Sequence, residues 1–226
     1  MGFKHFGVNT GGLPVEYIKR FTEQYSIPVF IETGTAGGES VRHASKLFET
    51  CHTIEIMGGR PGKQEEYPDN VTLHEGDSAK LLGAISKKHP YQNIFFWLDA
   101  HWSEPHESPQ DLEECPILQE IAAIAHVGRH ALIMIDDARL FYGRPPWPCN
   151  PMKWPRFQFV FEALRKNFPD HVTTIVDDYI ICFPLDMDLA HRTEWYENYN
   201  NRFPTDEMRR KEAVRLAFDS FLKYIQ

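Results

Sequence analysis

The residues best suited to chemistry in this 226-residue chain fall in short polar clusters, each directly after an apolar run. Asp99-Ala100-His101 follows Asn93–Leu98 (NIFFWL), and Asp136-Asp137 follows Ala131–Ile135 (ALIMI). Three carboxylates converging on one sheet edge repel one another unless something compensates. A divalent cation does so most simply. Magnesium takes a few carboxylates together with waters and substrate oxygens in an octahedral shell. It can bind a hydroxyl and lower its pKa. His101, with an ordinary pKa near neutrality, is the preferred general base for such a hydroxyl, and Asp99 serves instead if no metal takes part. The plainer reading makes Asp136 and Asp137 a turn cap and His101 a satisfied polar residue. The position of Asp99 beside them weighs against it.

A second set follows Pro28–Ile31: Glu32-Thr33-Gly34-Thr35-Ala36-Gly37-Gly38. Glycines after a first strand permit a tight turn and a close approach of backbone to ligand. The spacing is not that of a dinucleotide site, since Ala36 stands where the second glycine would be, and no Gly-Lys-Ser/Thr follows to make a phosphate loop. Glu32, two positions before the first glycine, suits a cationic or hydroxyl-rich ligand better than a pyrophosphate. Glu55, about 20 residues on, is placed to bind ribose hydroxyls. In Gly76-Asp77-Ser78, Asp77 can accept from an adenine amino group and can equally act as a plain helix N-cap. The ordered set is more specific than any of its members.

These clusters need elements that bring them together. Short continuous apolar runs suit strands covered on both faces, as in a parallel sheet. They predict strands at 28–31, 93–98 and 131–135, with weaker ones at 52–56 and 71–75. Helical patterns fall at 15–24, 39–48, 78–88, 119–125 and 157–167. The alternation implies right-handed βαβ units. Val172–Val176 and Tyr179–Phe183 are separated only by Asp177-Asp178, which allows a hairpin but no parallel crossover. The expected fold is thus α/β: a doubly wound, Rossmann-like, seven-stranded, mostly parallel sheet with an antiparallel final hairpin strand. Residues 1–184 form the sheet domain, and 185–226 read as a helical C-terminal extension of it, with 212–224 the clearest helix. In such a sheet ligands bind beyond the carboxyl ends of the strands, where all the polar clusters fall.

Composition narrows the function. With 42% hydrophobic and 25% charged residues the chain reads as an ordinary globular protein. A net charge of -8 argues against a nucleic-acid backbone as the main partner. No run approaches the ~18 apolar residues of a membrane span. Met1–Phe6 shows no secretory or myristoylation signal. Cys51, Cys115, Cys149 and Cys182 lack metal-site spacing and read as reduced thiols, so a cytoplasmic protein is expected.

Glu32, Gly34, Gly38, Glu55, Asp77 and the final hairpin together resemble a class I S-adenosylmethionine-dependent methyltransferase. Ala36 departs from the family's first motif at its middle glycine. Glu-Thr-Gly followed by Gly-Gly is similar to the macrocin and novobiocin-type sugar O-methyltransferases. The resemblance spans roughly residues 28–183. It implies that residues 32–38, Glu55, Asp77 and Ser78 bind S-adenosylmethionine. It also implies that Asp99, Asp136 and Asp137 bind Mg2+ or another divalent cation. The acceptor is then a hydroxylated, sugar-like small molecule, with no nucleic acid or membrane as partner and with a homo-oligomer left open.

The proline- and tryptophan-rich segment 139–156 follows Asp137 and should cover that acceptor. Trp147 and Trp154 offer faces for a sugar ring, Arg139, Arg144 or Lys153 a cation for a phosphate or carboxylate, and Trp102 begins the opposite lip, which includes His106 and Glu107. The glycine-rich stretch 7–12 reads as a lead-in that closes over the cofactor. Two further readings compete: a metal-dependent hydrolase or hydroxylase-like enzyme on the same sheet, and a non-catalytic metabolite-binding module. Trp97–His101 also resembles the Asp-Ala-His motif of arginase-type ureohydrolases, but the second aspartate-rich motif of those enzymes is missing and the glycine loop would have no role.

Overall fold

The computed structural model describes residues 12–56, 62–101, 114–143, 145 and 149–187. Within them the chain runs α1 (Val15–Gln24), β1 (Val29–Thr33), α2 (Glu39–Ala44), β2 (Thr50–Glu55), β3 (Val71–Glu75), α3 (Ser78–Ser86), β4 (Ile94–Leu98), α4 (Ile117–Ile124), β5 (Ala131–Ile135), α5 (Ala138–Tyr142), α6 (Phe157–Asn167), β6 (His171–Val176) and β7 (Tyr179–Pro184). The seven strands form one sheet in the order β3-β2-β1-β4-β5-β7-β6. β7 runs antiparallel to both of its neighbours, β5 and β6. This is the mostly parallel sheet with an antiparallel hairpin strand that the sequence predicts. The stretches 7–11 and 188–226, with the helix expected at 212–224, lie outside the described residues. No helix among those described is long and apolar enough to cross a membrane.

The apolar runs form strands because both faces of the sheet are covered. β1, β4, β5 and β7 are buried at every position. One face packs Ile31, Phe96 and Ile133 against Leu82 of α3, Ile121 of α4 and Val160 of α6. The other carries rings, with Phe30 stacked on Phe95 and Phe183 edge-on to Phe21 of α1. Helix α2 is shorter than the expected 39–48. The Asn70 side-chain amide donates to the carbonyls of Ser45 (2.9 Å) and Phe48 (3.0 Å), drawing them out of helical pairing.

Away from the carboxyl edge, three imidazoles tie β2 and β3 to the segment after α3. His52 Nδ1 lies 3.1 Å from His74 Nε2, and His52 Nε2 lies 2.8 Å from His89 Nε2. His89 Nδ1 donates to Gln92 Oε1 (3.1 Å), so His52 must donate to His89 and accept from His74. That chain holds only while His52 is neutral. Burial, then the charges of His74, His89 and Lys88, push His52 down to about 4. Burial and Lys88 also lower His74. As pH falls from 6.5 towards 4, the unfolded chain takes up protons that the folded chain refuses, and stability falls. Thermal unfolding between pH 7 and 5 should show this loss, and His52→Gln should flatten it; an unchanged slope in the variant would contradict the account.

Candidate functional site

The chain moves outward from β1 to β2 and β3, then returns to place β4 on the other side of β1. The carboxyl ends of β1 and β4 therefore flank the switch point where open α/β sheets bind ligands. The loop after β1 is pinned there. Gly34 donates its N–H to the Ile54 carbonyl (2.9 Å). A Cβ on Gly34 would lie 2.4 Å from the Asp99 carbonyl oxygen, so only glycine lets the two strand ends approach this closely. Ala36, where the family pattern has a glycine, takes a left-handed φ of 44°. Its N–H is held by Glu55 Oε2 at 2.8 Å.

Glu32 lies beneath this loop rather than on its surface, 1% exposed. Thr53 donates to Glu32 Oε2 (2.6 Å). Thr53 must therefore accept from Thr35, whose hydroxyl is also 2.6 Å away, so that Glu32 props the loop through two hydroxyls. Burial pushes the Glu32 carboxyl well up, the Thr53 hydrogen bond opposing it. Above the loop, Arg42 donates to the Gly37 carbonyl (2.7 Å) and lies 4.5 Å over the Tyr67 ring. At the start of α3, Asp77 caps the helix by accepting from Ala79 N–H (3.1 Å) and pairs with Lys80 (2.9 Å). Ser78 turns its hydroxyl to Glu120 of α4 (2.6 Å).

On the other side of the switch point, one ligand atom each from Asp99, His101 and Asp137 lies within 4.8 Å of the others. His101 Nε2 is 3.1 Å from Asp137 Oδ2 and 3.6 Å from Asp99 Oδ1, its side chain 3% exposed. Asp136 stands outside this trio, its Oδ1 accepting the Asp137 N–H at 2.7 Å. Asp137 adopts a left-handed φ of 55° at the start of α5. The β6–β7 turn braces it: Asp178 accepts the N–H groups of Ala138 (2.8 Å) and Arg139 (2.9 Å). Arg139, a candidate for the acceptor, spends its guanidinium on Asp137 and Asp178. Trp154, another, is buried edge-on to His101, ring centroids 5.4 Å apart. Trp102, His106, Glu107, Arg144 and Trp147 lie outside the described residues.

The electrostatics follow from this packing. Burial pushes Asp99 up to about 7, against the pull of His101, with Asp136 and Asp137 adding to the rise. Burial and the Asp137 charge push Asp136 up to about 6. Burial acts the same way on Asp137, but His101 and Arg139 outweigh it and hold that carboxyl low. For His101, the Asp137 hydrogen bond and the charge of Asp99 outweigh burial and raise it. Sequence reasoning missed Asp178, Glu120, Arg42 and Tyr67. Two of these had a signal: the Asp177-Asp178 hairpin turn had to fall at the carboxyl edge, and Glu120 interrupts the apolar stripe Ile117, Ile121, Ile124.

No protein-family model matches the sequence, and no curated protein is significantly similar to it. Solved structures are similar in fold. A Staphylococcus aureus protein assigned as a caffeoyl-CoA O-methyltransferase matches with a TM-score of 0.52 at 15% identity, over 77% of this chain and 84% of its own. An O-methyltransferase from Bacillus cereus, solved with S-adenosylhomocysteine, matches with a TM-score of 0.51 at 14% identity, over 78% and 82%. The chain has the Rossmann-like fold of class I S-adenosylmethionine-dependent methyltransferases.

A cation entering the trio must displace the proton that Asp99 holds near neutrality. Mn2+ affinity, measured by titration calorimetry, should fall by about tenfold per pH unit below 7. Asp99→Asn should lose most of the affinity and this pH dependence together. A pH-independent affinity between 5.5 and 7 would place the cation elsewhere.

Proposed function

We propose that this protein is an S-adenosylmethionine-dependent O-methyltransferase, assisted by a divalent cation such as Mg2+, acting on a hydroxyl of a sugar or other polyhydroxylated small molecule. The observation that carries the reading is the juxtaposition at one switch point of a glycine loop backed by Glu55 and a carboxylate–imidazole trio. The fold supports it, since solved methyltransferases share it.

Residues 33–38 would receive the cofactor, with Glu55 at the ribose and Asp77 at the adenine. Glu55 Oε2 already accepts the Ala36 N–H and retains a lone pair for a hydroxyl. Bound S-adenosylmethionine supplies an electrophilic methyl on a sulfonium. The protein contributes alignment and removal of one proton from the acceptor. Asp99 and Asp137 offer oxygen donors that suit a hard cation, with the His101 imidazole beside them. A cation held there would acidify the acceptor hydroxyl.

Among the described residues, His101 is the group best placed to take that proton. Asp137 holds its Nε2 and stabilises the imidazolium that results, and Asp99 faces it as a second proton site. Transfer of that methyl to the acceptor oxygen would leave a methyl ether and the neutral thioether S-adenosylhomocysteine.

Titration calorimetry should show S-adenosylhomocysteine binding to the folded protein. Labelled methyl transfer to a panel of polyols and glycosides should identify the acceptor. His101→Ala and Asp99→Ala should each lower kcat by about 100-fold or more. Absence of binding by folded protein, or turnover unaffected in both variants, would remove this function.

A further inference from the structure

Glu120 is the least expected residue of the interior. It is 1% exposed on α4, in the stripe that Ile117, Ile121 and Ile124 press against the sheet. An isolated carboxylate is costly in such surroundings unless it is hydrogen-bonded. Two hydroxyls supply the bonds: Ser78 donates to Oε1 at 2.6 Å, and Thr33 donates as well. Each hydroxyl has one proton, which fixes the direction of the chain. Thr33, having donated, uses a lone pair of Oγ1 to accept the N–H of Asp99 at 3.2 Å. The sequence of bonds is thus Asp99 N–H to Thr33, Thr33 to Glu120, and Ser78 to Glu120.

The two ends of this chain are the two halves of the site. Ser78 opens α3 directly after Asp77, at the nucleoside end. Asp99 belongs to the trio of the metal end. The sheet does not need the chain for its pairing, because the Asp99 N–H also reaches the Thr33 carbonyl at 3.1 Å. An apolar side chain would fill the place of Glu120 with less desolvation. The charges of His101 and Asp77, one from each half, both act on Glu120.

We infer that Glu120 is a positioning residue that couples the two halves, so that a cation at Asp99 and a nucleoside cofactor at Asp77 each tighten the binding of the other. The inference rests on the cofactor and cation of the proposed function. A cation fixes Asp99, whose N–H holds the Thr33 oxygen and turns its proton to Glu120. A nucleoside against Asp77 fixes the first turn of α3, and with it the Ser78 donor. Binding free energies coupled in this way are reciprocal.

The test is titration of S-adenosylhomocysteine into the protein with and without saturating Mg2+, in the wild type, Glu120→Gln and Ser78→Ala. This ligand lacks the sulfonium charge, so repulsion between cofactor and cation does not enter. Mg2+ should tighten wild-type binding by about fivefold or more. Either substitution should reduce that factor to less than about twofold while both ligands still bind. A residue that only supports the fold would weaken binding without changing the factor. A folded Glu120→Gln protein with the wild-type factor overturns the inference. So does wild-type binding that Mg2+ leaves unchanged. Ser78→Ala decides the matter by the same criterion if Glu120→Gln does not fold. A wild type that binds no S-adenosylhomocysteine overturns the proposed function instead.

Discussion

Crowding of like charge at the carboxyl edge of the sheet is the constraint on which the rest of the site depends. Asp99, Asp136, Asp137 and Asp178 converge there and, among the described residues, His101 and Arg139 balance them. Each strand end adds a carboxylate, and each carboxylate makes ionisation of the next harder. The protein answers in two ways. It consumes Asp178 and one side of Asp137 in the Arg139 pairs. It leaves Asp99 near its titration point, pushed up by burial and held back by His101. The Arg139 pairs make the hairpin β6–β7 part of the site, since its turn carries Asp178 to the start of α5.

The same edge requires a close approach of main chains. Gly34 touches the Asp99 backbone, so the glycine loop and the carboxylate trio are built on one contact between β1 and β4. Glu32, Thr53 and Thr35 support the loop from below, and Arg42 over Tyr67 closes it from above. Ala36 holds a left-handed conformation where the family pattern has glycine, and the Glu55 carboxylate on its N–H helps to keep it there. Glycine loop and acidic trio therefore share a foundation, and Glu120 adds a second link between them.

The strands are legible in the sequence because runs such as NIFFWL and ALIMI are buried on both faces, which leaves hydrophobicity as the only pattern. The antiparallel β7 is legible because two residues cannot span a parallel crossover. Asp99, His101 and Asp137 are legible because each follows such a run. The trio itself is not. Whether Asp136 or His101 completes it depends on the left-handed turn at Asp137, which sequence does not announce. The partners of Arg139 and the burial of Trp154 depend on tertiary packing around α5 and α6. Glu120 shows only as a break in an apolar stripe, and its role emerges when Ser78 and Thr33 arrive from distant elements.

The central claim is that one switch point holds a nucleoside-bearing methyl donor and a divalent cation side by side. A crystal structure of the protein with S-adenosylhomocysteine and Mn2+, using the anomalous signal of the metal, tests it most directly. The account predicts an anomalous peak bonded to Asp99 and Asp137 beside His101, with the cofactor across the 34–38 loop and its ribose on Glu55. A cofactor bound elsewhere, or a trio left without metal while S-adenosylhomocysteine is bound, would contradict it.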